Sequence, residues 1–314
     1  MNLDIPSPEE SLKRIKKYIN RTPLSYSERL SKECGSEIYL KLENLQKTGS
    51  FKVRGALNKV INMNSDRPVV AASSGNHGAA VSYALNKKNN KGKIYVPTSV
   101  KKLKAENIRS YGSEVIKFGD DCLDAENEAI RVSRENNYTF ISPYNDKDVI
   151  SGQGTIGVEI LEENDKIDVV FVTVGGGGLI SGIAHYLKSK NPDIKVIGCS
   201  PENSSIMINS IKHGKIINSQ SKDTLSDGSA GGVEEGSITF DLCRNLIDEY
   251  CLVSEEEIAK QIRDSLNYDK IVIEGSAAVA IASLLKMKKE FKDRNIAVII
   301  CGGNIGSETI KSIL

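Results

Sequence analysis

Four consecutive glycines, Gly175, Gly176, Gly177 and Gly178, stand directly behind the apolar run Val169-Val170-Phe171-Val172-Thr173-Val174. A strand that stops in such a turn feeds a helix. The helix N-terminus then gathers unpaired N–H groups and the positive end of the helix dipole at one place. With no side chains in the way, the backbone there can come close to an anion, with the dipole of a helix beginning at Leu179 behind it. A second stretch repeats the arrangement, because Val69-Val70-Ala71-Ala72 runs into Ser73-Ser74-Gly75-Asn76-His77-Gly78. Two strand ends that each open a helix make an α/β chain with ligand-binding turns. Neither turn is a nucleotide P-loop, since G-x-x-x-x-G-K-[ST] is absent, and neither is a spaced G-x-G-x-x-G in a dinucleotide unit. Read singly, the glycine run is also compatible with a plain tight turn, and Ser-Gly-Asn-His with an ordinary cap around a structural histidine.

The pattern around these turns alternates. Strand-like segments at 69–72, 93–97, 114–118 and 139–142 are separated by helical ones at 79–87, 102–111 and 124–135, the signature of a small parallel sheet with crossover helices. A second series follows, with helices at 149–162, 179–188 and 206–212 and strands at 168–174 and 195–199. Ahead of both, Ser7-Pro8-Glu9-Glu10 reads as a capping box with proline at the first helical position, opening a helix that ends near Asn20. Arg21-Thr22-Pro23-Leu24 is read as extended, because the residue before proline is pushed out of the helical region. Residues 213–236 turn polar and glycine-rich, a long loop of the kind that lines sites or simply connects. Ser254-Glu255-Glu256-Glu257 is another capping box, and a strand at 297–300 runs into Cys301-Gly302-Gly303-Asn304.

One lysine is placed for chemistry. Lys52 lies in Thr48-Gly49-Ser50-Phe51-Lys52-Val53-Arg54-Gly55-Ala56, after the strand-like 37–42, and Phe51, Leu57, Val60 and Ile61 recur at helical spacing. In a first helical turn its ammonium faces the positive end of the dipole, which lowers its pKa and favours the neutral amine that a Schiff base requires. Taken alone, a first-turn lysine is far more often an ordinary solvated surface residue.

With 314 residues, 39% hydrophobic and 26% charged, the chain is long enough for two lobes and too apolar for disorder. A formal net charge of +1 leaves no electrostatic case for nucleic acid, and no apolar stretch reaches the length of a membrane span. Six cysteines without C-x-x-C spacing suit a reducing cytoplasm, and residues 1–10 lack the basic and apolar regions of a leader.

The segments KTGSFKVRGA, SSGNHG, SGQGT, VGGGGLISG and CGGN occur in that order across nearly the whole chain. In them the sequence resembles the pyridoxal-phosphate enzymes of fold type II, and most of all their threonine/serine dehydratases and serine racemases. The resemblance implies two open, mainly parallel twisted sheets with flanking helices. It also implies a small domain at 68–145 inserted in a large one made of 1–67 and 146–314, with pyridoxal 5'-phosphate in the cleft between them. Lys52 would hold the cofactor and act as base, beside Phe51. Asn76 would meet its phenolic oxygen, Gly175 to Gly178 and Leu179 its phosphate, and Cys301 its pyridine nitrogen. Ser73, Ser74, Gly75, Asn76 and His77 would receive the substrate carboxylate, with Ser74 the second proton donor that a racemase needs.

The reaction implied is β-elimination from L-threonine or L-serine, giving 2-oxobutyrate or pyruvate plus ammonia, in a homodimer. Racemisation of serine and dehydration of another β-hydroxy amino acid stay open, as does, remotely, a non-catalytic binding protein. Ser200 and Ile206 stand where relatives place ligands to a divalent cation, so no metal is expected. The stretch 226–236 looks dehydratase-like. Ile273-Glu274-Gly275-Ser276-Ala277-Ala278 departs from the usual E-P-T/S-A/S-G and resembles a branch that includes hydroxyectoine-utilisation enzymes. A regulatory domain beyond Leu314 is not expected.

Overall fold

The computed structural model describes residues 4–64 and 67–314. Residues 1–3, the start of the stretch read as leaderless, and residues 65–66, near the end of the first domain segment, lie outside the described residues. The chain begins with α1 (Pro8–Ile15), β1 (Leu24–Tyr26), α2 (Glu28–Cys34), β2 (Glu37–Leu42) and α3 (Lys52–Asn62). An alternating block follows: β3 (Val69–Ala72), α4 (Asn76–Lys88), β4 (Gly92–Val96), α5 (Lys102–Ser110), β5 (Glu114–Lys117), α6 (Cys122–Asn136) and β6 (Thr139–Phe140). Then come α7 (Lys147–Glu163), β7 (Val169–Thr173), α8 (Gly178–Lys190), β8 (Lys195–Pro201) and α9 (Ile206–His213). The last part holds α10 (Ile238–Leu246), β9 (Glu249–Val253), α11 (Glu255–Asp264), α12 (Gly275–Met287), β10 (Asn295–Ile300) and α13 (Ser307–Ile313).

Both alternating series are where the pattern puts them, and the polar stretch after α9 is a connection broken by one short turn at Asp227–Ser229. Three readings change. The first helix ends at Ile15, and its capping box is half formed: Ser7 accepts from the Glu10 N–H, but the Glu10 carboxylate turns to Lys13 at 2.7 Å. Residues beyond the Thr22-Pro23 connection form β1 and α2, the latter capped by Ser27 and stopped by Gly35 at φ 64°. And α12 forms from a stretch with no amphipathic period, because eleven of its thirteen residues are buried and it has no polar face to show. At Ser254 the reciprocal capping box is complete.

The strands build two sheets. One has the order β1-β2-β10-β7-β8-β9, parallel except for β1, and the other the order β5-β4-β3-β6, parallel throughout. The four-stranded sheet draws all its strands from residues 69–140 and is covered on both faces. Val69, Ala71, Ile94 and Val96 point into one core with Val53, Leu57 and Val60 of α3, while Val70 and Tyr95 point the other way onto Ala125 and Ala129 of α6. That is the period-two alternation of a sheet with helices on both sides. The six-stranded sheet has a larger core, across which α12 packs against β7, β8, β9 and β10.

Helix α3 therefore shares a core with the small sheet, and a buried ion cluster ties it to the large one. The Arg54 guanidinium donates to both carboxylate oxygens of Glu43 at 2.7 and 2.8 Å and to both of Glu159 at 2.8 Å. Lys41 of β2 reaches Glu159 at 2.8 Å. Arg54, Lys41, Glu43 and Glu159 are all at most 1% exposed, so each charge depends on the others for solvation. Replacing Arg54 by methionine is expected to strand the Glu43 carboxylate, leave Glu159 with Lys41 alone, and cost roughly 3–5 kcal/mol. Urea unfolding followed by circular dichroism checks this, and an unchanged midpoint would contradict it.

Candidate active site

Lys52 is the first residue of α3, and the loop before it is stitched to the chain that leaves β10. The Phe51 N–H donates to the Cys301 carbonyl at 3.0 Å and the Gly303 N–H to the Gly49 carbonyl at 2.9 Å, while Ser50 pairs antiparallel with Gly302. Gly49 sits at φ +74°, where a Cβ would also fall 2.4 Å from the Asn304 Oδ1, so this turn requires glycine. The pairing sets the lysine and Cys301 beside each other at the C-terminal ends of neighbouring parallel strands β2 and β10, where open α/β sheets carry their ligands.

The Lys52 stem is partly exposed while its amine points inward, 2.9 Å from the Pro143 carbonyl and 5.2 Å from the centre of the Phe51 ring. Among the described residues no carboxylate pairs with it. Burial pushes its pKa down to about 8, against an opposing pull from Cys301 and Glu274 nearby. The lowered pKa agrees with the reading from sequence, but desolvation rather than the helix dipole is the main cause.

The glycine run packs against the residue that follows Pro143. Tyr144 lays its ring against it: a Cβ on Gly176 would fall 2.3 Å from that ring, and one on Gly178 would fall 2.9 Å from the Tyr144 Cα. A Cβ on Gly175 would sit 2.7 Å from the Ser229 carbonyl. Gly177 adopts φ +85° as the N-cap of α8. Among the described residues nothing accepts from the N–H groups of Gly175 to Gly178 or of Leu179, so five donors and the dipole of α8 converge there.

The loop from β3 to α4 supplies a second set of donors. Ser73 uses its hydroxyl to accept from the Gly75 N–H at 3.1 Å, and α4 begins at Asn76 with its first N–H groups free. Ser74 and Gly75 lie in the same half-buried turn. The ring of His77 faces elsewhere, since it is 3% exposed and its Nε2 meets the Ile141 carbonyl at 2.9 Å. Burial, with the nearby Lys52 charge, pushes its pKa down to about 3, so the imidazole is neutral at any working pH and only its main-chain N–H is offered to a ligand.

Two residues of the site were not assigned from sequence. Glu274, 4% exposed, places its carboxylate beside Gly302 and Asn76, and burial raises its pKa to about 7. Asn304 joins Asn76 to the Thr48 carbonyl. A signal for Glu274 did exist, because an acid set between Ile271-Val272-Ile273 and Gly275-Ser276-Ala277-Ala278 has little prospect of reaching water. Among the described residues no group of three or more His, Cys, Asp or Glu is placed to hold a metal ion.

These residues fit pyridoxal phosphate. The glycine turn offers unpaired N–H groups in a space that a single Cβ would fill, and an amine whose pKa burial lowers stands near it. Cys301, whose pKa burial raises well above the usual thiol range, stays a neutral hydrogen-bonding group. Gly175→Ala is expected to push Ser229 aside and weaken pyridoxal phosphate binding by roughly tenfold or more. Pyridoxal, which lacks the phosphate, should be little affected, and equal losses for both would contradict the assignment. The neutral fraction of Lys52 should rise through about pH 8, well below the range of an ordinary lysine. Reductive methylation of the cofactor-free protein, read by peptide mapping against pH, checks this; a midpoint near that of surface lysines would refute it.

Comparison with known proteins agrees with this geometry. A family model described as "Pyridoxal-phosphate dependent enzyme" matches residues 15–302. The L-threonine ammonia-lyase of Thermotoga maritima is 42% identical over 309 residues, covering 98% of this chain and 77% of that protein. A catabolic L-threonine dehydratase of Escherichia coli is 38% identical over 309 residues, covering 97% and 94%. Among solved structures, maize serine racemase superimposes with a TM-score of 0.92 at 33% identity, over 98% of this chain and 96% of that one. The chain belongs to the pyridoxal-phosphate dependent enzymes, within the group of threonine/serine dehydratases and serine racemases.

Proposed function

We propose that the protein is a threonine/serine ammonia-lyase, converting L-threonine or L-serine to 2-oxobutyrate or pyruvate plus ammonia. The observation that carries this reading is the inward-pointing Lys52 amine, with its pKa lowered to about 8, beside a glycine turn of unpaired N–H groups. Support comes from the threonine-acting relatives at 42% and 38% identity.

Pyridoxal phosphate, when bound, supplies an electron sink for the bonds broken at the substrate's Cα and Cβ. The chain supplies the rest. Gly175 to Gly178 and Leu179 would take the phosphate and Asn76 the phenolic oxygen, with Phe51 beside the ring and the Cys301 thiol a neutral partner for the pyridine nitrogen. Lys52 would hold the cofactor and, as a free amine, take the proton from the substrate's Cα; near pH 8 about half of it is neutral without any neighbouring base. Ser73, Ser74 and the main-chain N–H groups of Gly75, Asn76 and His77 at the start of α4 receive the substrate carboxylate. Ser74 also stands as a proton donor on its own account, and with the likeness to maize serine racemase it keeps racemisation as the second reading.

We further propose the discontinuous layout of 1–67 with 146–314 around 68–145, supported by the confinement of the four-stranded sheet to residues 69–140. A cytoplasmic homodimer completes the reading. All six cysteines are free, and the exposed side chains of Tyr26, Leu45, Tyr268 and Val272 suit burial against a second copy. Among the described residues no helix is long and apolar enough to cross a membrane.

The deciding measurement incubates the purified holoenzyme with L-threonine, L-serine and D-serine, following 2-oxo acid and enantiomer ratio. The expected outcome is 2-oxo acid from the L-substrates, lost in Lys52→Ala; D-serine forming from L-serine faster than pyruvate would favour the racemase.

A further inference from the structure

A single chain of hydrogen bonds runs through four residues at the edge of the cleft. The Thr48 carbonyl accepts from Asn304 Nδ2 at 2.8 Å, and the same nitrogen donates to Asn76 Oδ1 at 2.7 Å. Asn76 Nδ2 in turn donates to the two carboxylate oxygens of Glu274 at 2.9 and 3.0 Å. The Asn304 main-chain N–H closes the circuit onto Glu274 at 3.1 Å.

An amide side chain occupies nearly the same volume either way round, so its partners alone decide its orientation. Here the Thr48 end of the chain has a fixed polarity. A main-chain carbonyl can only accept, which forces Asn304 to turn its nitrogen to Thr48. Ionised Glu274 can only accept and so draws the Asn76 nitrogen, and when Glu274 is protonated the Asn304 nitrogen, fixed by Thr48, still requires the Asn76 oxygen to face it. Inverting Asn76 alone would set nitrogen against nitrogen at Asn304 and oxygen against oxygen at Glu274. Inverting Asn304 as well would set its oxygen against the Thr48 carbonyl, whether or not Glu274 is ionised. In the observed arrangement both Asn304 hydrogens are used, whereas the two Glu274 oxygens, nearly equidistant from Asn76 Nδ2, share one of its hydrogens and leave it a second N–H.

We propose that Asn304 and Glu274 are positioning residues that hold Asn76 with an N–H, rather than its carbonyl, turned toward the cofactor. The proposal rests on the reading above that Asn76 meets the phenolic oxygen of pyridoxal phosphate. That oxygen accepts, so an N–H attracts it and an inverted carbonyl repels it. The two supporting residues belong to different segments, the turn after β10 and the start of α12, and neither needs to touch the cofactor.

The test compares holoenzymes of the wild type, Asn76→Ala, Asn304→Asp and Asn304→Ala. The readouts are the ratio of the two absorption bands of bound cofactor, which reports hydrogen bonding at its phenolic oxygen, the cofactor dissociation constant, and the melting temperature. Asn304→Asp keeps the shape but replaces the donor with an acceptor, which favours inversion of Asn76. It is expected to shift the band ratio in the same direction as Asn76→Ala and to weaken cofactor binding by about tenfold. Asn304→Ala should shift the ratio less at a similar loss of melting temperature, and it carries the test alone if the aspartate variant does not fold. A purely structural role would lower the melting temperature in both variants and leave the bands as in the wild type, which would overturn the proposal. An unshifted Asn76→Ala would instead overturn the placement of Asn76, and with it this proposal. A wild-type protein that takes up no cofactor would overturn the functional reading itself.

Discussion

The short antiparallel pairing between residues 49–51 and 301–303 governs the geometry of everything around it. It joins the approach to α3 with the exit from β10, so the proposed catalytic amine shares one neighbourhood with the Cys301 thiol and the Glu274 carboxylate, although Lys52 precedes both by more than two hundred residues. Backbone hydrogen bonds between segments with no side-chain freedom at Gly49 and Gly302 make a rigid support. A proposed Schiff-base lysine needs that rigidity, because a displaced amine loses alignment with the atom it must deprotonate.

Charge is handled in two opposite ways within two residues of α3. Arg54 is buried and matched oxygen by oxygen with Glu43 and Glu159, so its charge is retained and serves to join α3 to the large sheet. The Lys52 amine is turned inward onto the Pro143 carbonyl with no carboxylate paired to it among the described residues, and its charge is the one the surroundings resist. The contrast follows from chemistry: a guanidinium does not deprotonate in a protein and suits a structural junction, whereas an ammonium yields its proton under desolvation and suits a nucleophile. One helix thus carries an anchor and a proposed reagent, and the anchor limits how far the lysine can drift.

Much of this was legible in the sequence, for identifiable reasons. The strand-glycine-helix turns at 174–178 and 72–76 are local, because the residues that demand close backbone approach are the ones that form the turn. Lys52 was legible because the helix boundary and the ordered motifs agree on it. What stayed hidden depends on contacts between distant segments. The roles of Glu274 and Asn304 come from a hydrogen-bonded circuit through Thr48 and Asn76, and no window of sequence contains it. Pro143 contributes through its carbonyl, which every residue possesses and no residue type advertises. The ring of His77 shows the converse, since its presence in a motif drew attention to an imidazole that the fold spends on Ile141. Helix α12 escaped because burial on all sides removed the amphipathic period by which helices are found.

The strand order of the larger sheet has a consequence for how the chain reaches this state. Strand β2 pairs with β1 on one side and with β10 on the other, and β10 alone bridges it to β7. During synthesis the block holding β3 to β6 emerges with all its strands together and can close on itself. By contrast β2 keeps one apolar edge unpaired until residues 295–300 have left the ribosome. Pairing across such a sequence separation is slow and leaves an open edge exposed to other chains in the meantime. The nascent protein is therefore most prone to aggregation in the interval before β10 emerges, and it is that strand, rather than the proposed catalytic segment, whose arrival ends the exposure.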